Sequence, residues 1–173
     1  TGGSGGSAPK PWDIENFSVS YGYTQTESSD PLIESDVRDE YTGAVDYSFS
    51  RPTKYVEPLK GIKSKPLRLL KEFNFNPLPS GLNARIALDR TYAESQLRNN
   101  SGLAFRLDPT FIKTFNMNRT YGLNWDLTKS LKLDFNSNAN AVIDEPAGKI
   151  DSREEKDSIK TNLMRLGRLN NYR

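Results

Sequence analysis

The sequence predicts an all-β protein of antiparallel strands with short helices in the connections. Apolar and polar residues alternate with period two over five stretches, the pattern of strands with two different faces. Runs of polar residues, Pro and Gly separate those stretches. Apolar residues make up only 35% of the 173-residue chain, with a mean hydropathy of −0.72, so their placement is informative.

The composition also narrows function. A net charge of +2 with interleaved signs argues against a nucleic-acid partner. The chain has no Cys, which removes disulfides, thiolate metal sites and cysteine nucleophiles. It has no His either, the usual general base and commonest metal ligand. No nucleophile–base set stands out, so no enzyme, catalytic residue, cofactor or metal is expected. No stretch approaches the ~20 apolar residues of a membrane-spanning helix. Without an initiating Met or a signal peptide, the chain is expected to be a mature or excised part of something longer.

Along the chain, residues 1–11 read as a flexible Gly/Ser/Pro stretch, either a linker or a native low-complexity loop. Residues 12–150 read as strands and loops. In FSVSYGYT, Phe17, Val19, Tyr21 and Tyr23 share a face. The polar run ESSDPLIESD reads as a loop, and YTGAVDYSF follows with Tyr41, Val45, Tyr47 and Phe49 on one face. Prolines punctuate residues 51–83, where PLRLLKEF predicts a short helix whose Leu67, Leu69 and Leu70 would pack against the chain. A third strand, ARIALDRTY, aligns Ala84, Ile86, Leu88 and Tyr92, and residues 93–112 read as a long loop. Residues 151–173 read as a polar segment with a short amphipathic helix marked by Ile159, Leu163, Leu166 and Leu169, its other face basic.

The clearest element is the hairpin FNMNRTYGLNWDLTKSLKLDFNSNANAV, residues 115–142. Phe115, Met117, Tyr121, Leu123, Trp125, Leu127, Leu131, Leu133 and Phe135 fall on one face. Asn116, Asn118, Asn124, Asp126, Lys132, Asp134, Asn136 and Asn138 fall on the other. Cross-strand neighbours share a face, so Leu127 opposite Leu131 pairs Trp125 with Leu133, Leu123 with Phe135 and Asp126 with Lys132. A three-residue loop usually places Gly at a left-handed position; Thr128-Lys129-Ser130 has none, which leaves the turn type open.

A soluble β-sandwich core and a bilayer both fit a two-faced strand. The alternation runs for about a dozen residues per strand, longer than the ~5–6 of soluble strands and enough for the ~9–11 that cross a bilayer. Aromatic residues stand towards the strand ends, as in an interfacial girdle. The expectation is therefore a lipid-facing apolar side and a lumen-facing polar side. Arg90 and Arg119 oppose it, lying in phase with the apolar faces. An Arg near mid-bilayer costs roughly 2–4 kcal/mol, so each is expected near an interface or against protein. Five strands with open edges are not viable in lipid, so a membrane reading makes the chain part of a larger wall.

Other chemistry is weaker. Asp144-Glu145 and Glu154-Glu155 lack calcium-loop spacing and are expected to be solvated surface. Gly2–Gly6 precedes no phosphate-loop Lys and follows no strand.

Four long stretches, PWDIENFSVSYGYTQTESSDPLIE, LLKEFNFNPLPSGLNARI, FNMNRTYGLNWDLTKSLKLDF and DSIKTNLMRLGRLNNYR, give the chain a family resemblance. It resembles a segment of the SprA/Sov proteins, outer-membrane translocons of the Bacteroidota type IX secretion system that are also associated with gliding motility. The resemblance implies a segment of a very large transmembrane antiparallel β-barrel in the bacterial outer membrane, which exports folded proteins. It implies secreted cargo proteins, PorV-type and plug outer-membrane proteins and membrane lipids as partners. In that setting the turn at Thr128–Ser130 and the 51–83 connection face the periplasm, and the loops near 27–38 and 93–112 and the C-terminal helix face outward. The alternative is a soluble periplasmic or surface β-domain that binds a partner protein.

Overall fold

Alternation carried through long runs rich in Tyr, Phe, Val, Ile and Thr builds long strands, because such side chains pack well on a pleated surface. The computed structural model describes residues 10–58, 61, 73–101 and 105–172. The strands are β1 (Phe17–Ser28), β2 (Ile33–Ser50), β3 (Gly81–Leu97), β4 (Thr110–Asp126), β5 (Lys132–Val142) and β6 (Arg168–Tyr172). They form one sheet in chain order, so the fold is an all-β antiparallel meander; β1 and β6 are its edges, and it does not close. A 3₁₀ turn (Ile14–Asn16) precedes β1, and α1 (Arg153–Met164) lies between β5 and β6. The helix expected in PLRLLKEF, with Leu67, Leu69 and Leu70, lies outside the described residues, as do residues 1–9 of the Gly/Ser stretch.

The chain divides into two compact units. The first comprises Thr1–Ser18, Asp46–Arg85 and Thr120–Ser137. Here the β2–β3 connection is tied down by backbone and side chain together. Arg51 N–H donates to Ser80 O at 2.9 Å, Asn76 N–H to Leu127 O at 2.9 Å, and Trp125 Nε1–H to Asn76 O at 2.9 Å. The β4–β5 turn closes without a left-handed residue. The Thr128 hydroxyl accepts from Leu131 N–H at 2.8 Å and from Ser130 N–H at 3.2 Å, while Thr128 N–H donates to Leu131 O at 3.0 Å. A side-chain turn of this kind does the work expected of Gly. Gly122 leaves room for the Asn83 side chain across the strand pair, which a Cβ there would force to shift.

The second unit comprises Val19–Val45, Ile86–Arg119 and Asn138–Arg173. Its loops are shorter than the sequence suggests. ESSDPLIESD is a tight turn, with β2 beginning at Ile33, because Asp30 Oδ1 accepts from both Leu32 N–H and Ile33 N–H at 2.7 Å. The 93–112 loop also contracts, since β3 reaches Leu97 and β4 starts at Thr110.

The C-terminal helix is corrected as well. Ser152 and Glu155 form a capping box that starts α1, and the helix ends at Met164 rather than running through Leu169. Leu166 and Gly167 follow with φ of 63° and 65°, both left-handed, and Gly167 N–H donates to Asn162 O at 3.0 Å. The chain then turns into β6, a sixth strand that the periodicity did not reveal, antiparallel to β5 with a bulge at Asn140/Ala141. The core of this unit is Phe115, Met117, Ala141 and Ile143, against which Ile86, Leu88 and the α1 residues Ile159 and Leu163 pack.

Candidate functional site

The two faces of the sheet are where the sequence locates function, so each is built from its residues. In the first unit, Tyr121, Leu131, Leu133 and Phe135 stand exposed, and Leu123, Trp125 and Leu127 are half-buried. Nothing in the described residues of this unit covers Phe135, which is 53% exposed. On the other face Asn124, Lys132, Asp134 and Asn136 are exposed. Asp126 is half-buried; it accepts from Thr53 Oγ1 at 3.0 Å and lies 3.6 Å from Lys132 Nζ. That ion pair lies on the register that the sequence predicts. Among the described residues the Leu131–Asn136 stretch of this hairpin is therefore exposed on both faces, one apolar and one polar.

In the second unit the apolar face is covered. Phe115 and Met117, expected to face lipid, are buried in the core beneath Ile159 and Leu163 of α1, so protein rather than lipid covers them. The reason is the segment after β5: α1 brings an apolar stripe that the strand pattern alone cannot reveal. The polar side chains of Asn116, Asn118 and Asn138 remain exposed, as Ile143 N–H donates to Phe115 O at 2.8 Å on the predicted β4–β5 register.

Both in-phase arginines are also met by protein. Arg90 meets Glu145, whose side chain is only 3% exposed, through a two-pronged contact: Nε to Oε1 at 2.5 Å and Nη2 to Oε2 at 3.1 Å. Its guanidinium also lies over the rings of Tyr41 and Tyr92, at 5.6 and 5.9 Å from their centroids. Glu145 is therefore a buried counter-ion rather than solvated surface, a role invisible without the fold. Asp144 is the exposed member of that pair of acids and reaches Arg168 at 3.4 Å. Arg119 is buried against protein, and its Nε has no hydrogen-bond partner.

A cleft of about 470 Å³ opens here, lined by Asp39, Tyr41, Tyr92 and Glu94 from the strands, by Lys149 ahead of α1 and by Lys156 in its first turns. Its central cation, Arg90, is already engaged by Glu145, and it holds no nucleophile–base pair. Glu155, of the other acidic pair, is spent on the helix start: backbone N–H groups of Ser152 and Asp151 donate to Oε2 at 2.9 and 3.0 Å. Those bonds, that from Ser152 first, and the Ser152 hydroxyl hold its carboxyl below the ordinary range. The sequence carried this signal as Ser-x-x-Glu.

Among the described residues no helix is long and apolar enough to cross a membrane, which leaves strands as the elements to consider. Comparison with protein-family models and with curated proteins gives no match. The class of protein defined here is an open, all-β antiparallel meander with one amphipathic hairpin exposed on both faces among the described residues.

Proposed function

We propose that this chain forms part of the wall of a very large outer-membrane β-barrel, a translocon that exports folded proteins by the type IX pathway. The observation that carries the proposal is the hairpin of the first unit, exposed on both faces along Leu131–Asn136 among the described residues. Leu131, Leu133 and Phe135 stand exposed on one side while Lys132, Asp134 and Asn136 stand exposed on the other. Water penalises an uncovered apolar face, whereas lipid on one side and a hydrated lumen on the other satisfy both. Strands of 17 and 18 residues supply more length than the ~9–11 needed to cross a bilayer. Support also comes from β1, an edge strand with Val19 and Tyr21 each 74% exposed, which suits continuation of the wall.

In this reading Tyr121, Leu123, Trp125, Leu127, Leu131, Leu133 and Phe135 face lipid. The Asn-rich side, neutral and hydrated, faces passing cargo. The resemblance to the SprA/Sov family adds the secreted cargo, the PorV-type and plug partners and the association with gliding. The turn at Thr128–Ser130 faces the periplasm, and α1 faces outward. The covered core under α1 favours a second reading, a surface β-domain that binds a partner protein.

Nitroxide labels on the full-length protein in outer-membrane vesicles separate the two. Labels at Leu133→Cys and Phe135→Cys should be reached by oxygen, and labels at Asp134→Cys and Asn136→Cys by a water-soluble nickel chelate. Uniform access along 133–136 overturns the wall.

A further inference from the structure

Charge is segregated along the C-terminal segment. Asp151 to Asp157 carries Asp151, Glu154, Glu155 and Asp157 against Arg153 and Lys156. From Lys160 onward the chain carries Lys160, Arg165, Arg168 and Arg173 and no acidic residue at all. Three large apolar side chains stand exposed among these cations: Met164 at 70%, Leu166 at 48% and Leu169 at 56%.

Leu166 adds an independent observation. It holds φ of 63°, the only described non-glycine residue at positive φ, at a helix end where Gly is usual. A branched side chain in the left-handed region costs roughly 1–2 kcal/mol, and here the side chain stays 48% exposed. Beside it is a recess of about 190 Å³ lined by Asp144, Asn162, Arg165, Gly167 and Arg168. Arg168 reaches Asp144 there at 3.4 Å, but with side chains 75% and 62% exposed that pair contributes little and exchanges readily. Arg165 is exposed and has no ion pair among the described residues.

We propose that the junction of α1 and β6 docks on an anionic lipid surface. Met164 and Leu166 enter the boundary between headgroups and acyl chains, and Arg165 and Arg168 take lipid phosphates, with Lys160 adding to the local field. Apolar residues flanked by long cations match an interface whose outer layer is anionic and whose inner layer is apolar. The proposal rests on the outer-membrane reading, and the test below separates the two.

The full-length protein carries a nitroxide at Leu166→Cys in phosphatidylcholine vesicles with or without phosphatidylglycerol. Phosphatidylglycerol should raise oxygen access and lower nickel-chelate access at this label. Arg165→Gln and Arg168→Gln should each shift the label towards water by about fivefold, and added salt should do the same. With the label moved to Met164→Cys, Leu166→Gly relieves the strained φ and keeps the fold, yet should lower lipid contact. A label indifferent to phosphatidylglycerol overturns the proposal, as does one shielded from both probes by protein. A Leu133→Cys label in the same preparation reports the wall by itself. If Leu133 reads lipid and Leu166 does not respond, only the docking fails; if Leu166 responds and Leu133 does not read lipid, only the wall fails.

Discussion

Phe115 and Phe135 stand in the same phase of the same alternation, yet they meet different fates. Phe115, in the second unit, is 8% exposed beneath α1, whereas Phe135, in the first, is 53% exposed. The difference is not in the strands, whose patterns match, but in what the later chain lays over them. Apolar phase alone says that a face wants to leave water; it does not say whether protein or lipid receives it.

The largest expected effect tests that contrast directly. Phe115→Ala opens a cavity in a packed core and should cost about 3–5 kcal/mol in denaturant unfolding. Phe135→Ala, in the absence of lipid, should cost less than about 1 kcal/mol. A comparable loss at Phe135 would mean that something also covers the bare hairpin. The ion pairs form the next comparison. Arg90→Met strands the Glu145 carboxylate in the protein and should cost roughly 3 kcal/mol, at the lower end of the usual range because the Arg90 side chain is 24% exposed. Lys132→Met removes a pair whose Lys side chain is 67% exposed and should cost between about 0 and 1 kcal/mol. Equal values would erase the distinction between covered and bare regions.

The smallest effect concerns the helix that does the covering. Ser152→Ala should loosen the first turn of α1 by about 1 kcal/mol, read as faster amide exchange in the helix. The Glu155 carboxyl is held below its ordinary range in the folded state, so the folded protein binds fewer protons there than the unfolded chain. Its contribution is therefore fully present above the ordinary carboxylate range and is lost as pH falls through the lowered folded value. Amide exchange in α1 should quicken over that acidic window, and Glu155→Gln should remove the dependence.

Legibility followed the range of the interactions. The Asp126–Lys132 pair was readable because cross-strand neighbours must match, and Ser152 with Glu155 because a cap is local. The turn at Asp30 was also written locally, in Asp-Pro, but a polar run hid it as a loop. Glu145 was misread because its partner is 55 residues away on β3. The sixth strand was missed because Leu166 and Leu169 keep helical spacing while two left-handed residues have already ended the helix.

By itself the sequence determined the all-β class, the two faces of the hairpin and the pairing across it, because period, propensity and register act between near neighbours. Only the tertiary structure decided that Phe115 and Met117 lie under a helix, that Arg90 has a buried counter-ion and that Leu131, Leu133 and Phe135 stay exposed among the described residues. Those outcomes depend on where α1 folds back, a long-range contact set by packing complementarity that no local pattern encodes.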